Sequence, residues 1–203
     1  MSRQSFMYRH IYLYRLVMSM LYTGSYQARL KPVLDILGVL KPASVLELCF
    51  GDIYIAAYCR ARGITWTGID INTRFVNFAR NRGYEATTGD VLKIGFPETE
   101  VCIITGSLYH FQQTGLQPFL EKVFRHTDKL IVSEPVINLS SDTGVTGTLA
   151  RKFSRTRLAE ESFRYTRKSL TEALDQLAGP LHFRYRILSE FKKDMIILVE
   201  NIN

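Results

Sequence analysis

The stretch Ser44-Val-Leu-Glu-Leu-Cys-Phe-Gly-Asp-Ile53 decides how this chain is read. Ser44 to Leu48 has the length and aliphatic content of a short buried strand. Cys49 to Asp52 then turns at a glycine, and Ile53 to Arg62 reads as a helix ended by Gly63. The alternation continues downstream. Thr65 to Ile69 is a strand, Thr73 to Arg82 a helix closed by Gly83, and Tyr84 to Thr88 a third strand. Val101 to Thr105 is a fourth strand, Leu116 to Arg125 a helix, and Lys129 to Ser133 a fifth strand. Strands and helices alternating at this spacing demand right-handed crossovers. The expected fold is α/β, a doubly wound and mostly parallel sheet with helices on both faces.

The flanks differ from this centre. Upstream, Phe6, Met7, Ile11, Leu13, Tyr14, Val17, Met20 and Leu21 recur at three- and four-residue steps, the pattern of an amphipathic helix. A second helix is expected from Tyr26 to Leu37, with Pro32 in its first turns and Gly38 at its C-terminal end. Residues 1–40 thus read as an N-terminal helical cap on a sheet domain over 41–203, one compact domain overall. Downstream, Pro135 to Phe163 is a long Ser/Gly/Thr/Arg-rich connection of the kind that forms functional loops. A helix from Ser169 to Leu177 stops at Gly179-Pro180. His182 to Leu188 and Met195 to Val199, joined by Lys192-Lys193-Asp194, form a terminal antiparallel hairpin and bring the sheet to seven strands.

Composition narrows the class. With 203 residues, 46% of them apolar, the chain buries a substantial core and is not a disordered segment. The run Ile11 to Tyr22 contains Arg15 and is too short to span a membrane, and no cleavage site accompanies it, so a cytoplasmic protein is expected. Cys49, Cys59 and Cys102 form no CxxC pair, which argues against a disulfide framework or a metal cluster. The net charge of +7 is uneven. Arg3, Arg9, Arg15, Arg29 and Lys31 open the chain with no acid among them, and a second basic stretch runs from Arg151 to Lys168. Between these flanks the chain is near neutral. Such flanks suit either a solvated surface or an anionic partner.

An open parallel sheet binds ligands beyond the carboxyl ends of its strands, where strand order reverses. The residues just past those ends are Glu47 to Asp52, Gly68 to Asn72, Gly89 to Val91, Thr105 to Phe111 and Ser133 to Pro135. Acids follow four of the five strands, and a nucleoside presents hydroxyl and amine donors that carboxylates accept. Asp70 stands 19 residues beyond Gly51, the spacing at which a second-strand acid meets a ribose.

From Ser44 to Pro135 the sequence resembles the class I S-adenosylmethionine (SAM)-dependent methyltransferases, whose first motif is an acid followed by alternating glycines. Here that motif reads Glu47-Leu-Cys49-Phe-Gly51-Asp-Ile53, with Cys49 and Ile53 in two of the glycine places. The departure leaves open a remodelled turn or a weakened cofactor affinity. The resemblance implies that Glu47 meets the methionine amine, Gly51 lets the backbone approach, Asp70 accepts from the ribose and Asp90 from the adenine amine. It also implies that Ile71 covers the ring and that the Val91 N–H lies beside it. Cys49 passes close to the cofactor, while Thr105, Gly106 and Ser107 border the sulfonium. S-adenosylhomocysteine would be the product.

Methyl transfer depends on positioning and desolvation, and a base is needed when the acceptor must lose a proton. His110 is the leading candidate base and Glu134 the second; each has a structural alternative as a packed ring or a strand-end acceptor. Tyr22, Tyr26, Arg29 and Tyr109 are candidate substrate or cofactor-covering residues, with Arg29 suited to a carboxylate. The expected acceptor is a small or glycan-like molecule, an anionic one included. Three alternatives stay open. A dinucleotide oxidoreductase demands Gly-x-Gly-x-x-Gly, which Cys49 to Tyr54 lacks. A non-catalytic SAM-fold scaffold would explain Cys49 and Ile53. A nucleic-acid methyltransferase fits the basic flanks, but Thr105-Gly-Ser-Leu-Tyr109 is not the pattern of enzymes that methylate base nitrogens. The N-terminal helix suits a homodimer interface, a lid or a membrane surface alike.

Overall fold

The computed structural model describes residues 11–22, 24, 26–112, 115–136 and 164–202. Its elements in chain order begin with α1 (Ile11–Leu21), α2 (Tyr26–Leu40), β1 (Ser44–Leu48) and α3 (Tyr54–Arg60). β2 (Thr65–Asp70), α4 (Thr73–Arg80), β3 (Glu85–Thr88) and β4 (Val101–Thr105) follow. After a 3-10 turn at Leu108–Phe111 come α5 (Leu116–Phe124), β5 (Lys129–Pro135), α6 (Arg167–Ala178), β6 (Phe183–Phe191) and β7 (Asp194–Asn201). The seven strands form one sheet in the order β3-β2-β1-β4-β5-β7-β6. β1 to β5 are parallel, and β7 runs antiparallel to both its neighbours. The expected doubly wound sheet with a terminal antiparallel hairpin is the fold observed.

The period-two alternation of the central strands explains the two helical layers. Leu46, Leu48, Cys102, Ile104, Leu130 and Val132 face α5 and α6. Val45, Ile103, Ile131 and Leu198 face α2, α3 and α4. Val33 and Leu37 of α2 are fully buried there, so the second helix is built into the core. Each such aliphatic side chain contributes about 1.5–3 kcal/mol of burial. α1 buries Ile11 and Val17 and exposes Tyr12, Leu16 and Met20. Phe6 and Met7, expected on the same helix, lie outside the described residues, as does most of the Pro135 to Phe163 connection. Among the described residues, no helix is long and apolar enough to cross a membrane.

Three boundaries correct the sequence reading. α2 does not end at Gly38; it runs to Leu40, and Lys41 takes the left-handed turn at φ 47°. Gly38 serves a close approach instead, because a Cβ there would stand 3.1 Å from the Tyr58 hydroxyl. That hydroxyl donates to the Leu34 carbonyl across the α2–α3 contact. β5 extends past Ser133 to Pro135 because β7 pairs Glu134 with Met195 and Pro135 with Asp194. Asp194 accordingly opens β7 and is buried in the sheet, not part of an exposed turn.

Candidate active site

Strand order reverses between β1 and β4, so the crevice lies over their carboxyl ends, with β2 on one side and β5 on the other. The β1–α3 turn forms its floor. Cys49 and Gly51 both adopt left-handed backbone, at φ 54° and 56°. Glycine enters this region freely, whereas a residue with a Cβ pays about 1–2 kcal/mol. The turn therefore keeps a glycine-type backbone at position 49 without the glycine. Burial pushes the Cys49 thiol up, so it stays protonated and packs as a small neutral group.

The strand-end acids divide by surroundings. Asp70 is 6% exposed; its carboxylate accepts the Gly51 N–H at 3.2 Å and the Asn72 N–H at 2.7 Å. It thus ties the turn to the end of β2, while Asn72 caps α4 by accepting from Arg74. Burial raises Asp70 to about 6, against the pull of those two N–H groups. Each oxygen retains a lone pair for a further donor. Asp90 is half-exposed and accepts the Leu92 N–H at 3.0 Å, beside buried Val91. Ile71 stands 67% exposed directly past Asp70, a large apolar side chain left open at the crevice. Glu47 is placed differently: it faces the α3 side and accepts the Trp66 indole N–H at 2.8 Å. Burial pushes it well above its ordinary 4.5, with the Trp66 N–H opposing.

The N-terminal helices close over this floor. Arg15 of α1 makes a bidentate pair with Asp52, at 2.8 and 2.7 Å, and Asp52 also accepts the Ile53 N–H at the start of α3. The Tyr14 hydroxyl lies against Gly51, 2.9 Å from where a Cβ would be. Tyr26 packs edge-on to Tyr14 and Tyr54. Arg29 is buried, paired through Nε with Asp194, and its guanidinium lies over the Tyr22 ring. Tyr22 donates to the other Asp194 oxygen at 2.9 Å, and the Ser133 hydroxyl donates at 3.4 Å to the oxygen that Arg29 holds. Burial alone would lower Arg29, but Tyr22 and Asp194 outweigh it and keep the cation charged. Its Nη2 has no hydrogen-bond partner among the described residues, and it lies 2.6 Å from where a Cβ on Gly106 would stand. Gly106, at φ 61°, donates its N–H to the Ser133 carbonyl, so only a glycine lets guanidinium and turn meet.

Beyond β4 and β5 lies a second polar group. Thr105 ends β4, its carbonyl accepts from the Ser107 hydroxyl, and Ser107 opens the 3-10 turn that carries Tyr109 and His110. Glu134 is completely buried; one oxygen accepts the Leu108 N–H at 2.9 Å and Oε1 has no partner among the described residues. Burial raises Glu134 to about 7, with Arg164, the Leu108 N–H and Arg29 opposing. Tyr165 is buried near it, its hydroxyl also without a partner among the described residues and its acidity reduced by burial and by Glu134. The Arg164 guanidinium lies 3.6 Å over the Tyr109 ring, which stacks on His110 at 4.0 Å. Local desolvation, then Arg164, push the His110 imidazole down to about 4, although the residue as a whole is exposed and water offsets part of that push.

Solved structures share this architecture. The plantazolicin methyltransferase BamL, in complex with a triazolic desmethylPZN analog and S-adenosylhomocysteine, superposes with a TM-score of 0.70 at 11% identity. That match covers 97% of this chain and 93% of BamL. The methyltransferase domain of bacterial CtHen1 gives 0.63 at 16% identity, over 85% of this chain and 96% of that one. Human N-acetylserotonin methyltransferase, in complex with SAM, gives 0.65 at 16% identity, over 96% of this chain and 57% of that one. No family model and no curated protein matches the sequence. This chain has the class I SAM-dependent methyltransferase fold.

Within that methyltransferase fold, the structure gathers Cys49, Gly51, Asp70, Ile71, Asp90 and Val91 along β1, β2 and β3. It gathers Arg29, Gly106, Ser107, Tyr109, His110 and Glu134 along β4 and β5. Tyr22 and Tyr26 are buried, holding Asp194 and the α1 aromatics respectively. Sequence reasoning missed Asp194, Arg15, Asp52 and Tyr165. Asp194 sits in a hairpin and pairs with a residue 165 positions away, which no local pattern reveals. Arg15 and Asp52 carried a signal, a lone base on an apolar helix and an acid at a helix start.

Proposed function

We propose that this protein is a SAM-dependent methyltransferase acting on a small-molecule or glycan-like acceptor that carries an ionisable hydroxyl. The β1–α3 turn carries the reading: its backbone is left-handed at Cys49 and Gly51, at the crevice where strand order reverses. The donors and acceptors around it suit the cofactor. Arg29 has a free, buried, charged N–H for a carboxylate, Asp70 and Asp90 keep acceptor capacity for hydroxyl and amine, and Ile71 awaits a flat apolar cover. Held by Arg29, Asp70 and Asp90, SAM would supply an electrophilic methyl carbon, with S-adenosylhomocysteine as the leaving product.

The protein's own part is to place the acceptor, exclude water and take up a proton. Glu134 suits the last task better than His110. A base works best with a pKa near the working pH, and Glu134, fully buried, sits at about 7, whereas His110 is exposed to water that competes for the proton. Tyr165 and the free Oε1 of Glu134 offer two unsatisfied groups for one hydroxyl. Arg164, flat on Tyr109, favours an acceptor with anionic or aromatic character.

Calorimetric titration with SAM and with S-adenosylhomocysteine tests the reading. Binding that weakens at least tenfold in Asp90→Ala, followed by methyl transfer to a phenol or sugar panel, is the expected result. A folded protein that binds neither nucleoside would sink it. Binding without turnover across the panel would leave the scaffold reading.

A further inference from the structure

Arginines that are spread over residues 60 to 82 in sequence converge at the edge of the sheet opposite the crevice. Arg60 and Arg80 are the last residues of α3 and α4, and Arg62 and Arg82 lie in the turns entering β2 and β3. All four are exposed, and none forms an ion pair among the described residues. Their guanidinium groups are nevertheless held in place. Arg60 lies 3.6 Å over the Tyr84 ring and donates to the Arg82 and Gly83 carbonyls, each at 2.9 Å. Arg62 lies 3.7 Å over Tyr58, and Arg82 lies 3.6 Å over Phe78. Arg80 donates to the Ala86 carbonyl at 2.7 Å.

A guanidinium has five N–H donors, so these contacts leave most of them directed at water. The helix dipole accounts for one cation at the end of each helix. It does not account for two more in the following turns, or for three of the four lying flat on rings. A groove of about 370 Å3 opens beside Arg60, lined also by Gly63, Trp66, Gly83, Tyr84 and Glu85. Toward β4 and β5 the same edge turns acidic, with Glu98, Glu100 and Asp128 ahead of those strands, so the basic patch is bounded.

We propose that this edge is a docking surface for single-stranded nucleic acid. Arg60, Arg62, Arg80 and Arg82 pair with successive phosphates, and a base stacks at the groove on the Arg60–Tyr84 pair. Planar cations fixed on aromatic rings suit unpaired bases, whose faces stack on guanidinium planes and aromatic rings alike. An anionic membrane is the poorer fit. Exposed Tyr12 packs edge-on to Phe78 beneath Arg82, so the patch gains a further aromatic ring but no aliphatic cluster to insert into lipid. Ordering the side chains in the folded protein lowers the entropy that binding must overcome.

Fluorescence anisotropy with labelled RNA and DNA single strands of about 12 nucleotides tests this, a length within known single-strand site sizes. Four phosphate contacts predict that log affinity falls with log salt at a slope of about −3. The combined Arg60→Gln, Arg62→Gln and Arg82→Gln variant is expected to bind at least tenfold more weakly. Lys31→Gln, Arg125→Gln and Lys168→Gln together remove the same charge elsewhere and are expected to cost less than twofold. Should the first combination unfold, Arg62→Gln alone leaves the carbonyl contacts of Arg60 and Arg82 in place and is expected to cost about threefold. Three outcomes would overturn the proposal: no binding of either strand, equal loss in both combinations, or capture by phosphatidylserine vesicles in place of single strands. Calorimetry with SAM on the same arginine variant separates this surface from the crevice, since its cofactor binding is expected to match that of the unaltered protein.

Discussion

The two edges of the sheet handle charge in opposite ways. At the carboxyl edge Arg29, Glu47, Asp52, Asp70, Glu134 and Asp194 are all buried. At the amino edge Arg60, Arg62, Arg80 and Arg82 lie in solvent, resting on rings and carbonyls. A buried ion costs several kcal/mol unless partners compensate it, whereas an exposed guanidinium keeps its hydration. Five buried side-chain polar atoms among the described residues lack a partner, and four of them belong to Arg29, Gln112, Glu134 and Tyr165 around the crevice. The fold therefore tolerates unmet hydrogen bonds at one edge, where a ligand would meet them, and offers ready-made donors at the other.

Substitutions at the two edges can break this contrast. The largest effect is expected from Asp194→Asn, which strips the charge partner from a fully buried Arg29. The cost should be about 3–5 kcal/mol. For a chain of this size that lowers the thermal midpoint by roughly 6–20 °C. A melting curve that does not move would show that Arg29 reaches water and that the crevice edge is not dry.

The next effect depends on pH. Glu134 titrates at about 7 in the folded protein, above its ordinary 4.5, because it is buried. The folded state thus binds this proton more tightly than the unfolded chain does. Its favourable contribution is complete below about 4.5 and is lost as pH rises through 7, by about 3 kcal/mol in all. Glu134→Gln should therefore gain stability over the unaltered protein at pH 8 and gain none at pH 4, as read from urea unfolding at both pH values. Asp70, raised to about 6, acts in the same direction in both proteins and cancels from the difference. An equal effect at both pH values would remove Glu134 as a group that titrates near neutrality, and with it the proposed base.

The smallest effect is expected at the amino edge. Arg82→Gln gives up a ring contact and a 3.3 Å bond to the Phe78 carbonyl, both at the surface. Surface changes of this kind stay within about 0.5 kcal/mol. A loss approaching that of Asp194→Asn would make the arginine patch part of the fold's support and erase the contrast between the edges.

The strand–helix alternation was legible because each central strand is a short aliphatic run bounded by glycine or a polar turn. β1 and β4 fall at the residues that their composition marks, Ser44–Leu48 and Val101–Thr105. Boundaries failed where the deciding partner is distant. Gly38 reads as a helix stop in isolation, yet Tyr58 packing against it explains the glycine. β5 reads as ending at Ser133, yet Met195 and Asp194 supply the ladder that carries it to Pro135.

Around the crevice, the order of residues along the chain determined which groups follow each strand, since a parallel strand must end at the same edge as its neighbours. Gly51, Asp70, Asp90, His110 and Glu134 were placed by that rule alone. What those groups face was decided only in three dimensions. Glu47 meets an indole, Arg29 meets an aspartate 165 residues away, and arginines from two separate turns become one patch. The physical reason is range. Propensity and periodicity act over a few residues, whereas burial, ion pairing and charge clustering depend on which segments the sheet order brings together.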